Sequence, residues 1–176
     1  MEGHPQCSPI AAVYQVLYRF MEKKKVNGGC HFITALAHVL LRQAQVDSSL
    51  VAGWVLTPQG RYFTHSWNQI HGSVFDIAIT RPNLHRLEFR QPAVLNGIEV
   101  GNDGPLGLAQ CKYGVTGPST FDEITTFVGT GTVGTYAAGL PIFWDLASKL
   151  ELEAGIKIEG SHLAAKYKDS PWELRG

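Results

Sequence analysis

Apolar residues recur at helical spacing over the first forty-odd positions and then shift to the tighter alternation of strands. Ser8 can cap a helix and Pro9 suits its first position, and Ile10, Val13, Leu17 and Phe20 follow at intervals of three and four. Glu22 leads into Lys23, Lys24 and Lys25, cations that suit the negative end of a helix dipole and read as a solvated helix end. Asn27, Gly28 and Gly29 break this helix. A second helix is predicted from Cys30 to Ala44, with Ile33, Leu36, Ala37, Leu40, Leu41 and Ala44 as its buried stripe and Cys30 on the stripe's edge. His31, Thr34, His38 and Arg42 fall on the more polar face, which places both histidines at the solvated surface.

The period then changes. Leu50 to Leu56 is a near-continuous apolar run around Gly53, as expected of a central strand covered on both faces. Pro58 and Gly60 mark a turn within residues 57–61, and Tyr62 to Ile70 reads as a second strand. His71-Gly72 then supplies a two-residue hairpin turn into a third strand predicted from Ser73 to Ile79. Pro82, Pro92, Pro105 and Pro118 interrupt the next forty residues, although residues 94–100 read as a hairpin around Asn96-Gly97. Thr120 and Glu123 have capping-box spacing for a further helix. The glycine-rich stretch from Gly129 to Gly139 reads as a flexible loop, and a last helix is expected from Ile142 to Ala154, closed by Gly155.

Helices followed by hairpin-linked strands make an α+β fold, and 176 residues without an internal repeat or linker make one domain, residues 1–176. A chain 44% hydrophobic and 17% charged has the content for a real core. Fifteen basic and fifteen acidic residues cancel to zero net charge, which argues against nucleic acid or an anionic membrane as partner. No apolar run reaches the ~18–20 residues that span a bilayer, and no signal-peptide core leads the chain, so a cytoplasmic location is expected. Cys7, Cys30 and Cys111 are odd in number and are expected to be reduced.

Three residues of the first half converge on one chemistry. Cys30 stands at a helix start after Gly28-Gly29, where unpaired N–H groups and the positive end of the dipole favour a thiolate and small residues let a substrate approach. His65 shares a strand face with Phe63, Trp67 and Gln69. Asp76 stands among Val74, Phe75, Ile77 and Ile79, where a carboxylate is costly unless paired. Each alone has a plain structural explanation: a buried thiol, a satisfied core imidazole, a salt-bridged acid. A two-residue turn at His71-Gly72, however, sets Trp67 opposite Asp76 and puts Asp76 diagonal to His65, at the ~7–8 Å spacing that longer side chains bridge. An acid so placed orients an imidazole, which can take the proton of a thiol on its other side. A slip of one residue in this register would turn Asp76 to the opposite face.

The run Gly-Gly-Cys30, the helix from Ile33 to Leu41 with Arg42, Leu50-Val51-Ala52-Gly53-Trp54-Val55, His65-Ser66-Trp67 and Phe75-Asp76 resembles the core of the transglutaminase-like superfamily. The resemblance covers residues 28–80, leaving 81–176 as a variable remainder. It implies a papain-like fold, a catalytic helix packed on an antiparallel sheet, and a Cys-His-Asp triad: Cys30 as nucleophile, His65 as general base and acid, Asp76 as the orienting carboxylate. The chain departs from common superfamily patterns at Ser48-Ser49, where members often carry Arg, and at Ile77-Ala78, where Pro-Thr is frequent. The Gly-Gly before Cys30 is also similar to arylamine N-acetyltransferases, which are considerably longer, so acetyl transfer from coenzyme A is the weaker reading.

Such a triad performs acyl transfer through a thioester on a peptide or protein substrate, with no cofactor and no metal. Water as acceptor gives a peptidase, amidase or deamidase, and a lysine or polyamine gives a transglutaminase, the deamidase and transglutaminase acting on protein glutamine. A small domain leans towards hydrolysis; a non-catalytic peptide-binding module on the same fold is the rival from another class. Asn27, Trp54 and Tyr62 are candidates for a second oxyanion donor beside the Cys30 N–H. Residues 129–134 match G-x-G-x-x-G with Glu159 downstream, but the helical reading before them and the delay at Pro141 speak against a dinucleotide site and for a loop bordering the cleft. Cys30, His31, His65 and Asp76 are ligand types without the paired short spacings of zinc sites. Trp144, Leu146 and Trp172 read as packing residues and Cys111 as a plain thiol.

Overall fold

A computed structural model describes residues 8–156 and 162–176, so Cys7 and Glu159 lie outside the described residues. Helix α1 (Pro9–Lys24) starts where the sequence places it: the Ser8 hydroxyl accepts from the Ala11 N–H at 3.2 Å, and Pro9 fills the first position. Lys25 ends it in the left-handed conformation (φ 51°), with the Lys25 and Val26 N–H groups returning to the carbonyls of Glu22 and Met21. Val13, Val16, Leu17 and Met21 form its buried stripe.

Helix α2 (Cys30–Gln43) is the core helix, with ten of its fourteen residues buried, so it is covered on more faces than a stripe implies. Leu36, Leu40 and Leu41 are fully enclosed, each burial contributing about 1.5–3 kcal/mol. The polar face expected to meet water instead meets the strand that carries Ser66 and the segment around Ser48. His38 is 5% exposed, with Nδ1 2.9 Å from the Ser48 hydroxyl, and His31 is partly buried, with Nδ1 2.6 Å from the Ser66 hydroxyl. The expectation of two solvated histidines is therefore corrected. Burial moves both rings down to about 4, outweighing the Asp122 carboxylate near His31 and the Asp47 carboxylate near His38, so both are neutral at ordinary pH.

Strands β1 (Ser49–Leu56) and β2 (Tyr62–Ile70) pair antiparallel over their whole length, Gly53 opposite His65 and Val51 opposite Trp67. β2 turns into β3 (Ser73–Phe75) through His71 (φ 50°) and Gly72 (φ 81°), both left-handed as a type I′ hairpin requires, with Ile70 opposite Ser73 and Asn68 opposite Phe75. β3 stops at Phe75 rather than Ile79. From Asp76 the backbone changes partner, exchanging N–H and C=O bonds of 2.7 and 2.8 Å with Val94, and residues Ala78–Thr80 close into a 3-10 turn. The second, three-stranded sheet is β4 (Ala93–Leu95), β5 (Ile98–Gly101) and β6 (Gly104–Leu108), with the expected Asn96-Gly97 turn between β4 and β5.

The main sheet gains two further members from the second half. β7 (Lys112–Tyr113) pairs antiparallel with the end of β1, and β8 (Trp172–Arg175) pairs parallel with its start, Arg175 opposite Gly53. A Cβ at Gly53 would collide with the Arg175 carbonyl and the Trp67 indole, so only glycine lets β8 lie down there. On the second half's helices, α3 (Glu123–Gly129) is capped by Asp122 rather than by the expected Thr120–Glu123 box: Asp122 accepts from the Thr125 N–H at 2.8 Å and from the Thr64 hydroxyl of β2 at 2.7 Å. The true capping box is Thr132 with Thr135, opening α4 (Val133–Ala137) inside the stretch expected to be a loop. α5 (Phe143–Glu153) and the short α6 (Leu163–Tyr167) complete an α+β architecture.

The sheet divides two apolar clusters. Leu50 and Ala52 face the helices, while Val51, Val55, Phe63, Trp67, Ile79 and Cys111 pack together in the other. Among the described residues no helix is long and apolar enough to cross a membrane.

Candidate active site

Cys30 is the first residue of α2. Its N-cap is Gly29, which carries no side chain to occupy the free N–H groups of the first turn, so those donors and the dipole's positive end act on whatever lies at the thiol. The two glycines before it have separate reasons. Gly28 is left-handed (φ 65°), and a Cβ there would lie 3.3 Å from Asn83; its N–H bonds the Arg81 carbonyl at 2.9 Å. At Gly29 a Cβ would lie 2.8 Å from the Val26 side chain. The helix tip is thereby tied to the segment that follows Asp76, which brings thiol and acid to the same end of the molecule.

His65 stands in the middle of β2, 5% exposed, its ring edge-on to Phe63 at 5.4 Å between centroids. Its Nε2 donates to Asp76 Oδ2 at 2.8 Å. Asp76 is 2% exposed and fully partnered. Besides the imidazole, its Oδ1 accepts from the Ile79 N–H at 3.1 Å and its Oδ2 from the Tyr113 hydroxyl at 2.9 Å. With its backbone fixed on Val94 as well, the carboxylate has little freedom to turn. With Nε2 committed to Asp76, the other ring nitrogen is left free, and the Cys30 thiol lies near enough to act on the charge of the ring.

The electrostatics follow from this arrangement. Burial disfavours a charged ring, but the Asp76 carboxylate, the nearby Cys30 sulfur and the hydrogen bond to Asp76 outweigh it and lift His65 to about 10. The ring is thus a cation at neutral pH, held between an acid and a sulfur. Burial first, then Glu99 and Asp76, push the Cys111 thiol up to about 11, as suits a plain structural cysteine.

The structure therefore brings Cys30, His65 and Asp76 together and adds Tyr113, which sequence reasoning missed. Tyr113 enters from β7, 37 positions beyond Asp76, and wedges its ring against Trp67 at 5.1 Å. Burial and the nearby Asp76 keep its phenol well above the usual range and protonated, as a donor to a carboxylate must be. Beneath the site, Asn68 ties the elements together, donating to the Thr34 carbonyl of α2 at 3.1 Å and accepting from the Tyr14 hydroxyl of α1 at 3.3 Å. The three candidates for a second oxyanion donor are otherwise placed. The Asn27 amide donates to the Lys25 carbonyl at 2.9 Å, Trp54 stacks on Phe121, and Tyr62 is 39% exposed at the start of β2.

Residues 129–134 follow a helix rather than a strand, and Thr132 begins α4 within the motif, so the phosphate-binding turn of a dinucleotide fold does not form there. The stretch does border the site, since Tyr136 of α4 lies edge-on to the ring of His31, the residue after Cys30. Among the described residues no group of three or more His, Cys, Asp or Glu side chains gathers as a metal site. Compared with protein families, with curated proteins and with solved structures, the chain matches none.

Proposed function

We propose that this protein is a thiol-dependent acyl-transfer enzyme, a cysteine peptidase or amidase built on a papain-like, transglutaminase-like core. The observation that carries this reading is the buried His65–Asp76 pair at 2.8 Å, with the Cys30 thiol near the same imidazole at a helix N-terminus. In the proposed reaction the Cys30 sulfur attacks an amide carbonyl carbon, and the C=O π pair moves onto the oxygen. The Cys30 backbone N–H donates to that oxyanion. Collapse breaks the C–N bond as the protonated His65 delivers its proton to the departing amine, leaving a thioester. Neutral His65 then takes a proton from water, whose oxygen attacks the thioester and releases the acid and the thiolate. Asp76 holds the ring in the orientation both steps need and remains ionised throughout. A reducing compartment such as the cytoplasm suits this chemistry, because Cys30 must remain a free thiol. The substrate is a peptide or protein segment that can bring its scissile carbonyl to the partly exposed Cys30 at the tip of α2.

The choice between water and amine is tested by incubating a casein digest with the protein and a fluorescent alkylamine. Release of new carboxyl termini or of ammonia by the wild type, and not by Cys30→Ala, is the expected result. Thiol-dependent incorporation of the amine instead would make the enzyme a transglutaminase, and no thiol-dependent change of any substrate would leave the binding-module reading.

A further inference from the structure

The Cys30 N–H alone makes a one-donor oxyanion hole, and a second donor has to come from outside α2. Helix α4 supplies a hydroxyl at the right end of that helix. Tyr136 lies with its ring edge-on to His31 at 6.4 Å and to Trp172 of β8 at 6.3 Å, and His31 is itself clamped to the Ser66 hydroxyl of β2. The phenol is therefore fixed across the first turn of α2. Its own helix is short but well anchored. The Thr132–Thr135 capping box opens it, and the Val133 and Gly134 N–H groups bond the Ser170 and Lys168 carbonyls at 2.9 and 2.7 Å. Gly134 is needed for that approach, since a Cβ there would stand 2.8 Å from the Lys168 carbonyl oxygen. Tyr136 is half-buried, and no described residue partners its hydroxyl. Burial, and then the Cys30 thiol close by, raise its ionisation well above the ordinary phenol range, so at working pH the group is an O–H donor beside the sulfur.

We propose that the Tyr136 hydroxyl is the second oxyanion donor, acting with the Cys30 N–H on the oxygen of the tetrahedral intermediate. This rests on the acyl-transfer reading and assigns to α4 the role that spacing along the chain could not locate. As the thiolate attacks and the carbonyl π pair moves to oxygen, the phenol donates its hydrogen bond without transferring its proton. When the intermediate collapses, the bond weakens again. The donor is held by packing before substrate arrives, so little reorganisation accompanies the gain.

The test compares two reactions of the same sulfur in wild type and Tyr136→Phe, which keeps the ring packing. In the first, p-nitrophenyl acetate acylates Cys30 through an oxyanion and expels p-nitrophenolate, whose burst is followed by rapid mixing. In the second, iodoacetamide alkylates Cys30 by displacement of iodide at a saturated carbon, with no oxyanion. The acylation rate is expected to fall about 10²–10³-fold in Tyr136→Phe, the loss typical of one such donor, while alkylation stays within about twofold. Unchanged acylation, or a parallel fall in both rates, would overturn the assignment. A wild type that is alkylated rapidly at Cys30 but shows no acylation burst would remove the acyl-transfer reading and this role with it. A normal burst in both proteins would remove the role of Tyr136 alone.

Discussion

Asp76→Asn is expected to slow formation of the acyl-enzyme by about 10⁴-fold while preserving the hairpin around it, the size of effect seen when the acid of such a triad loses its charge. The side chain keeps its shape, but its amide must turn a nitrogen or an oxygen towards His65. With the Tyr113 hydroxyl and the Ile79 N–H both donating into the same group, the single remaining carbonyl oxygen cannot serve every donor. If the amide nitrogen faces the ring, Nε2 becomes the acceptor and the hydrogen moves to the nitrogen that should take the thiol's proton. Loss of the carboxylate also removes the main charge opposing burial, so the ring falls from about 10 towards a neutral state. The pH dependence of stability follows with a definite sign. A histidine raised from ~6.5 to about 10 adds stability that is fully present below pH ~6.5 and is lost as pH rises through 10. Thermal melts of the wild type should therefore show this contribution decline between pH 7 and 10, and Asp76→Asn should show less of that decline. Equal rates in the two proteins in a p-nitrophenyl acetate burst would remove Asp76 from the mechanism.

The second large effect concerns the base. His65→Ala is expected to reduce acyl transfer by about 10⁴–10⁶-fold, because removing one member of such a unit costs nearly as much as removing the whole. A simpler reaction reports the same pairing without a substrate. With His65 present, Cys30 has a base beside it when it meets iodoacetamide; without it that activation is gone, and labelling near neutral pH should slow roughly tenfold or more. Cys111, buried and held up to about 11, provides the slow internal reference and should not change. Peptide mapping of the labelled protein after short exposures measures both. Labelling of Cys30 no faster than Cys111, or unaffected by His65→Ala, would mean that the imidazole does not activate the sulfur.

What the sequence could show about this site was what depended on neighbours along the chain. His71-Gly72 specifies a type I′ turn, the turn fixes the pairing of β2 with β3, and the pairing sets Asp76 diagonal to His65; every link is within a dozen residues. Gly28-Gly29 before Cys30 likewise states that a helix begins there with space in front of it. The hydrophobic stripe of α2 was less informative. Period analysis assumes one covered face, but strand β2 and the segment before β1 cover a second, and the hydroxyls of Ser66 and Ser48 let His31 and His38 sit inside. β3 ends four residues early because Val94, from a separate hairpin, takes over the backbone of Asp76, a competition that alternation within residues 73–79 cannot register. Tyr113, Tyr136 and β8 all reach the site by long-range packing, and β8 enters only where Gly53 leaves space for it. Their side chains are common ones at unremarkable spacings, so no local pattern marks them.

The most direct test of the central claim, that Cys30 is the nucleophile of an acyl-transfer site, is intact-protein mass spectrometry of a trapped acyl-enzyme. Wild type and Cys30→Ala are mixed with p-nitrophenyl acetate, quenched in acid within seconds and mapped by peptide. The account predicts a single acetyl group in thioester linkage on Cys30 in the wild type, lost on treatment with hydroxylamine, and no such adduct in Cys30→Ala. An acetyl group on another residue in both proteins, or no adduct in either, would contradict it.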